Sequence, residues 1–82
     1  MIPRIKLITD RNDYKLEVLF DDGKKVIYDV SDDIKTLEKF KDLVDIPGLW
    51  KQFTLDQSRT CISWNEYIDL SSDTIYEYGS VM

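Results

Sequence analysis

The chain has 82 residues, with 16 acidic and 11 basic side chains, no histidine and a single cysteine, Cys61. This length predicts one domain over residues 1–82. Without histidine, no Ser-His-Asp triad or Cys-His pair can be assembled, and a zinc site would have at most one Cys or His ligand. We therefore expect a protein that is not an enzyme and that holds no cofactor and no metal.

The apolar runs fall well short of the about 18 residues that a membrane span needs, and the first residues lack the apolar core of a signal peptide. These features predict a soluble, cytoplasmic protein with no membrane partner. The net charge is −5 and no basic run exceeds two residues. Direct nucleic-acid binding is disfavoured, because phosphate neutralisation drives such affinity. The acidity fits a basic protein partner, and it fits solubility equally well.

The first 30 residues predict three strands. Alternation over residues 4–9 indicates the first strand, and residues 10–13 form a polar turn cluster. Residues 14–20 have the cleanest period of two, so their apolar set must face a core. Asp22-Gly23 then predicts a hairpin into a third strand at residues 25–30. The inward residues expected on the second and third strands are Tyr14, Leu16, Val18, Phe20, Val26, Tyr28 and Val30.

A change of period after residue 30 predicts the main helix. The oxygen side chains of residues 31–33 suit a helix start, and apolar residues then follow helical spacing. Pro47 disfavours helical geometry at Ile46, so the helix is expected to end near Val44–Asp45. Its apolar residues are Ile34, Leu37, Phe40, Leu43 and Val44.

The rest of the chain predicts a second hairpin and a short helix. Residues 53–55 and 60–64 read as two strands around a turn at 56–59, and residues 68–70 as a brief extended stretch. Residues 71–73 indicate a helix start for a short turn at 74–78 that ends at Gly79. The order β-β-β-α-β-β plus a terminal helical turn predicts an α+β fold. Its small, mostly antiparallel sheet would pack on one main helix.

Trp50, Trp64 and Tyr67 form the most distinctive aromatic set. Core packing is one interpretation, and a partner interface is the other, because Trp and Tyr dominate binding hot spots. Tyr76 and Tyr78 are two residues apart and cannot share a helix face, so one of them is expected to be exposed. The candidate partner-binding residues are Trp50, Trp64, Tyr67, Asp69 and Tyr76.

Carboxylates offer the remaining chemistry. Five of them between residues 21 and 33 could bind Ca²⁺ or Mg²⁺ through oxygen, but the spacing of an EF-hand is absent. A hairpin turn followed by a helix cap accounts for them. Asp69 and Asp73 are four residues apart, but a glycosidase pair would also need a groove and shifted pKa values. A carboxylate metal site or enzyme is therefore the weakest of the hypotheses.

Short motifs along nearly the whole chain resemble those of the bacterial domain-of-unknown-function family 2442. The most specific segment is the ending, with Ile-x-Trp, Asp-Leu and Asp-x-Ile-Tyr at residues 62–76. Tyr67 stands where the family usually has glycine, and Ser72 where it usually has proline. The positions that carry the resemblance are Pro3, Arg4, Ile5, Tyr14, Leu16, Val18, Phe20, Asp22, Gly23, Asp29, Phe40, Leu43, Asp45, Trp50, Ile62, Trp64, Asp69, Leu70, Asp73, Ile75, Tyr76 and Glu77.

The resemblance implies an α+β fold, no established activity and no site residues. Relatives are often encoded beside another small protein, an arrangement that suggests toxin–antitoxin pairs. The leading hypothesis is a non-catalytic protein-binding module, antitoxin-like or a small phage or mobile-element inhibitor. Its partner would be a protein that is basic or encoded next door, and a homo-oligomer stays open. The alternative is an acidic mimic or regulator of a nucleic-acid-binding protein, which predicts carboxylates clustered on one face.

Overall fold

The computed structural model describes residues 2–11 and 13–82. That part of the chain contains three α-helices. Two 3-10 turns, Glu38–Lys41 and Leu49–Gln52, lie before and after the second helix, Asp42–Asp45. The α+β class predicted from the sequence is confirmed. The strands and α-helices in chain order are β1 (Ile5–Arg11), β2 (Lys15–Phe20), β3 (Lys25–Asp29), α1 (Ser31–Thr36), α2 (Asp42–Asp45), β4 (Thr54–Leu55), β5 (Cys61–Ser63), β6 (Asp69–Ser71), α3 (Ser72–Tyr78) and β7 (Ser80–Val81).

Two antiparallel sheets supply about half of the buried apolar residues. The first has strand order β1-β2-β3-β7, and the second has order β4-β5-β6. Leu16 lies opposite Tyr28 and Val18 opposite Val26, so the apolar residues of β2 and β3 share one face, as their alternation predicts. Both sheets and the helical segments contribute to one hydrophobic cluster. Its fully buried apolar residues are Ile5, Leu16, Val18, Phe20, Val26, Val30, Ile62, Ile68 and Ile75.

β1 contains a β-bulge that interrupts its expected alternation. The pairing with β2 shifts between Ile5 and Leu7, which leaves Lys6 as an inserted residue. Ile5 is buried, Leu7 is exposed and Ile8 is half-buried. Ile5 and Leu7 therefore point to opposite faces, although a regular strand would have placed them on the same one.

The predicted polar turn at residues 10–13 starts later than expected. Asp10 and Arg11 belong to β1, and Asn12 lies outside the described residues. Asp13 and Tyr14 both adopt left-handed backbone geometry, with φ of 64° and 60°. Left-handed residues are common in β-hairpin turns, and this turn connects the paired residues Arg11 and Lys15.

The predicted main helix is interrupted at Leu37. α1 ends at Thr36, and Leu37 is extended, with φ −110° and ψ 115°. The 3-10 turn and the four-residue α2 follow it. This break lets Phe40 and Leu43 enter the core while Leu37 and Val44 stay exposed. The sheets therefore pack on short helical segments rather than on one main helix.

The residue after α3 is a glycine because of close packing. Gly79 follows α3 as predicted, but its φ of −69° and ψ of 151° are extended rather than left-handed. A Cβ atom at this position would lie 2.6 Å from the Ile75 carbonyl oxygen and 2.9 Å from Val26 Cγ2. Close packing therefore requires the glycine. The chain continues into β7, which pairs with β3 and was not predicted.

Arg59 connects the two sheets. Its guanidinium donates two hydrogen bonds of 2.8 Å to the Asp21 carboxylate, and its carbonyl oxygen accepts one from the Ile5 amide. Arg59 itself has a left-handed φ of 61° in the turn before β5. The Asp56 carboxylate stabilises that turn by accepting hydrogen bonds from the Thr60 and Cys61 amides. The turn is thereby fixed beside the start of β1.

Candidate functional site

Trp50 and Trp64 lie together in the core. Their rings stack with centroids 5.7 Å apart, and Trp64 Nε1 donates a 3.1 Å hydrogen bond to the Trp50 carbonyl oxygen. The Phe40 ring contacts Trp64 edge-on at 6.4 Å. Both tryptophans are at least nine-tenths buried. Of the two interpretations of this aromatic set, the structure favours core packing for the tryptophans.

Asp10 holds the tryptophan pair against β1. Its carboxylate accepts a 2.8 Å hydrogen bond from Trp50 Nε1 and forms an ion pair with Lys51. Burial raises the pKa of this carboxyl, but the donors Lys51 and Trp50 outweigh burial, and the pKa is lowered. The Tyr14 ring packs edge-on against Trp50 at 5.1 Å. The sequence reasoning assigned Asp10 to a turn, and nothing in its local pattern points to a partner 40 residues away.

Asp69 lies on the second sheet, Tyr67 lies in the turn that precedes β6, and both are exposed. Tyr67 is 69% exposed in the turn before β6. The Asn65 side chain shapes this turn by accepting hydrogen bonds from the Tyr67 and Ile68 amides. Asp69 lies in β6 opposite Ser63. Partner binding by these two residues stays a prediction.

Tyr76 lies in a surface groove that the sequence reasoning did not identify. One wall is the segment Ile2–Arg4, another is the β2–β3 turn with Asp21 and Asp22, and a third is α3. Ser58 and Thr60, next to Arg59, close one side. We call this the acidic groove. The lining residues are Ile2, Pro3, Arg4, Phe20, Asp21, Asp22, Lys24, Ser58, Thr60, Asp73, Tyr76 and Glu77.

Within the acidic groove, Tyr76 binds a lysine of the same chain. Lys24 Nζ lies 3.9 Å from the centroid of the Tyr76 ring and donates a 3.0 Å hydrogen bond to the Tyr76 carbonyl oxygen. The Tyr76 hydroxyl donates a 2.6 Å hydrogen bond to Asp22. The Phe20 ring supports Tyr76 edge-on at 4.9 Å. An ammonium group thus lies over an aromatic face beside a carboxylate, a favourable cation–π arrangement.

The groove carries more acidic than basic side chains. Asp21, Asp22, Asp73 and Glu77 line it with two bases, Arg4 and Lys24. The pKa of Asp22 is lowered, first because the Tyr76 hydroxyl donates to it and then because the Lys24 amide does. The same hydrogen bond raises the pKa of Tyr76. Asp22 therefore carries its negative charge at neutral pH.

The described residues show no group of three or more Cys, Asp or Glu side chains placed to hold a metal ion. Cys61 is half-buried in β5. Burial, followed by the nearby Asp69 charge, raises the pKa of its thiol. A raised pKa lowers the thiolate fraction at neutral pH, so Cys61 is a poor nucleophile.

No helix in the described part of the chain is long and apolar enough to cross a membrane.

These features define a small α+β protein with two antiparallel sheets and an acidic, aromatic surface groove. A family model described as "Protein of unknown function (DUF2442)" matches residues 8–80 of the 82-residue chain. The chain therefore belongs to this family, as its motifs indicated. No curated protein and no solved structure matches it.

Proposed function

We propose that this chain is a non-catalytic protein-binding module and that its acidic groove receives a basic segment of a partner protein. The observation that carries the proposal is the position of Lys24, whose ammonium group lies over the Tyr76 ring. The groove already accommodates one lysine side chain, its own. A lysine or arginine of a partner would form charge-assisted hydrogen bonds with the carboxylates that line the same groove.

Two carboxylates of the groove are well placed for a partner. Asp73 and Glu77 are exposed and lie one turn apart on α3. Asp21 and Asp22 already bind Arg59 and Tyr76 within the chain, and Asp73 accepts a hydrogen bond from the Thr74 amide. Aromatic side chains with an apolar body and a polar tip are favoured at binding hot spots, which fits the role of Tyr76.

The biological setting is a further part of the proposal. A bacterial or phage protein of the cytoplasm, with a partner encoded next door, fits the family habit that the resemblance implies. An antitoxin-like module or a small inhibitor would use such a groove to hold a basic segment of its target. A basic partner of this kind would also explain why the protein has a net negative charge.

Glu77→Lys tests the groove. We expect this charge reversal to weaken binding of the partner by about tenfold, since it replaces attraction with repulsion at the groove wall. The measurement is isothermal titration calorimetry with the neighbouring gene product, or with the protein captured from the native host. Glu38→Lys makes the same change at an exposed site outside the groove and should leave the affinity unchanged.

Salt dependence provides a second measurement on the same complex. Binding at exposed charges should weaken as ionic strength rises, because the Debye length shortens. Thermal melts of both variants should match the wild type, which would show that folding is intact. The proposal is wrong if capture yields no stoichiometric protein, or if Glu77→Lys and Glu38→Lys bind alike.

The second candidate is an acidic mimic or regulator of a nucleic-acid-binding protein. The four carboxylates that line one groove favour it, because clustered negative charge can occupy a phosphate-binding surface. In that case the captured partner should bind DNA or RNA, and this chain should compete with the nucleic acid. A partner that binds both at once would exclude this candidate.

A further inference from the structure

The outer face of the four-stranded sheet carries an apolar strip. Leu7 and Leu19 are directly paired across β1 and β2, and Ile27 lies one step further on β3, opposite Glu17. The core residues of β2 and β3 occupy the alternate positions, so these three side chains point away from the core. Leu7 is 57% exposed, and Leu19 and Ile27 are half-buried.

Basic residues surround this strip. Exposed Lys6 lies beside it at the bulge, and the register places three further bases on the same face. Two acids accompany the three bases on the paired strands, which leaves one more positive than negative charge there in a chain of net charge −5. Glu17 is shared between Arg11 at 3.1 Å and Lys25 at 3.9 Å. The charged residues that the register places on the face are Arg11, Lys15, Lys25, Glu17 and Asp29.

We propose that this outer face docks an amphipathic helix with acidic flanks from another protein. Three adjacent strands span about 10 Å, and apolar residues at i, i+4 and i+7 of a helix span about the same length. A helix laid across the strip would bury Leu7, Leu19 and Ile27. Its acidic flanks would meet the basic rim, and helix on sheet is a standard layer arrangement.

The charges and side chains of this face favour an acidic helix over a second copy of the chain, a nucleic acid or a membrane. A second copy that packed the same face against this one would bring two positive rims together. Nucleic acid would find no aromatic platform for its bases among Leu7, Leu19 and Ile27. An anionic membrane would repel the chain as a whole, because its net charge is −5. The face and the acidic groove therefore bind partners of opposite charge.

The test uses a labelled helical peptide with leucines at i, i+4 and i+7 and glutamates on both flanks. We expect the full chain to bind it in fluorescence anisotropy and Leu7→Ser to weaken binding by about tenfold, because one leucine is no longer buried. Leu37→Ser is the matched control, since Leu37 is also exposed but lies between the helices. It should bind the peptide like the wild type.

A version of the peptide with lysine flanks should bind much more weakly. Absence of binding by the acidic peptide at millimolar concentration would overturn the proposal, as would equal loss in both serine variants. Binding of duplex DNA or of phosphatidylserine vesicles through Leu7 would assign the face to a different occupant. Self-association that Leu7→Ser abolishes in sedimentation would assign it to a second copy.

Discussion

Gly79 shows how a single residue can be required by packing rather than by backbone conformation. Its extended φ and ψ are open to any amino acid, but an added Cβ would lie 2.6 Å from the Ile75 carbonyl oxygen. A glycine that follows a helix is commonly left-handed. The close approach of α3 to Val26 of β3 decides the position instead.

Gly79→Ala should therefore destabilise the protein by about 1–3 kcal/mol, as overpacking of a tight contact does. The measurement is urea unfolding followed by circular dichroism. Ser80→Ala, at the next and exposed position, is the control and should change stability little. Equal stability of wild type and Gly79→Ala would show that α3 can move away from β3 without loss.

At the scale of elements, Asp10 joins β1 to the 3-10 turn that carries Trp50 and Lys51. Its carboxylate is the acceptor for the Trp50 indole. Asp10→Ala should cost about 1–3 kcal/mol, because the indole N–H loses its partner in a mostly buried position. Asp45→Ala, at the exposed end of α2, removes a carboxylate elsewhere and should cost little. Thermal melts of both variants, with tryptophan fluorescence as the probe, measure the difference.

The sequence predicts elements well where one local pattern decides them. The period of two in β2 and the Asp22-Gly23 turn are such cases, and both are confirmed. Prediction fails where distant contacts decide. The helical spacing from Ile34 to Val44 does not reveal the extended Leu37, and β7 forms because β3 offers it a free edge.

The candidate site was less accessible to sequence reasoning than the fold. Tyr76 was identified from its residue type alone. Its neighbours in the acidic groove, Phe20, Asp22 and Lys24, are more than 50 residues away in the chain. No spacing rule connects such positions. The two tryptophans could be assigned to core or interface only once their burial was known.

At the scale of the whole molecule, stability should depend on pH in the acid range. Six described aspartates have a pKa below the ordinary 3.8 in the folded chain. Such a group binds protons more readily when unfolded, so its stabilisation is complete above its unfolded pKa. That stabilisation is lost as the pH falls through the folded pKa. These residues are Asp10, Asp21, Asp22, Asp29, Asp56 and Asp73.

We expect melting temperatures to stay level from about pH 5 to 8, because the sequence has no histidine to titrate there, and to fall below about pH 4. Circular dichroism melts over this range measure it. A marked change of melting temperature near pH 6 would contradict the prediction, since no side chain described here accounts for one.

The bulge at Lys6 also bears on how this protein avoids aggregation. β1 is the longest strand described and forms an edge of its sheet, and such edges are templates for cross-β growth. The bulge twists the strand at one end and adds a charge there. At the other end the Asp10–Lys51 ion pair lies beside the strand. An incoming strand would find only a short regular stretch between them, so the same inserted residue that exposes Leu7 hinders fibril formation.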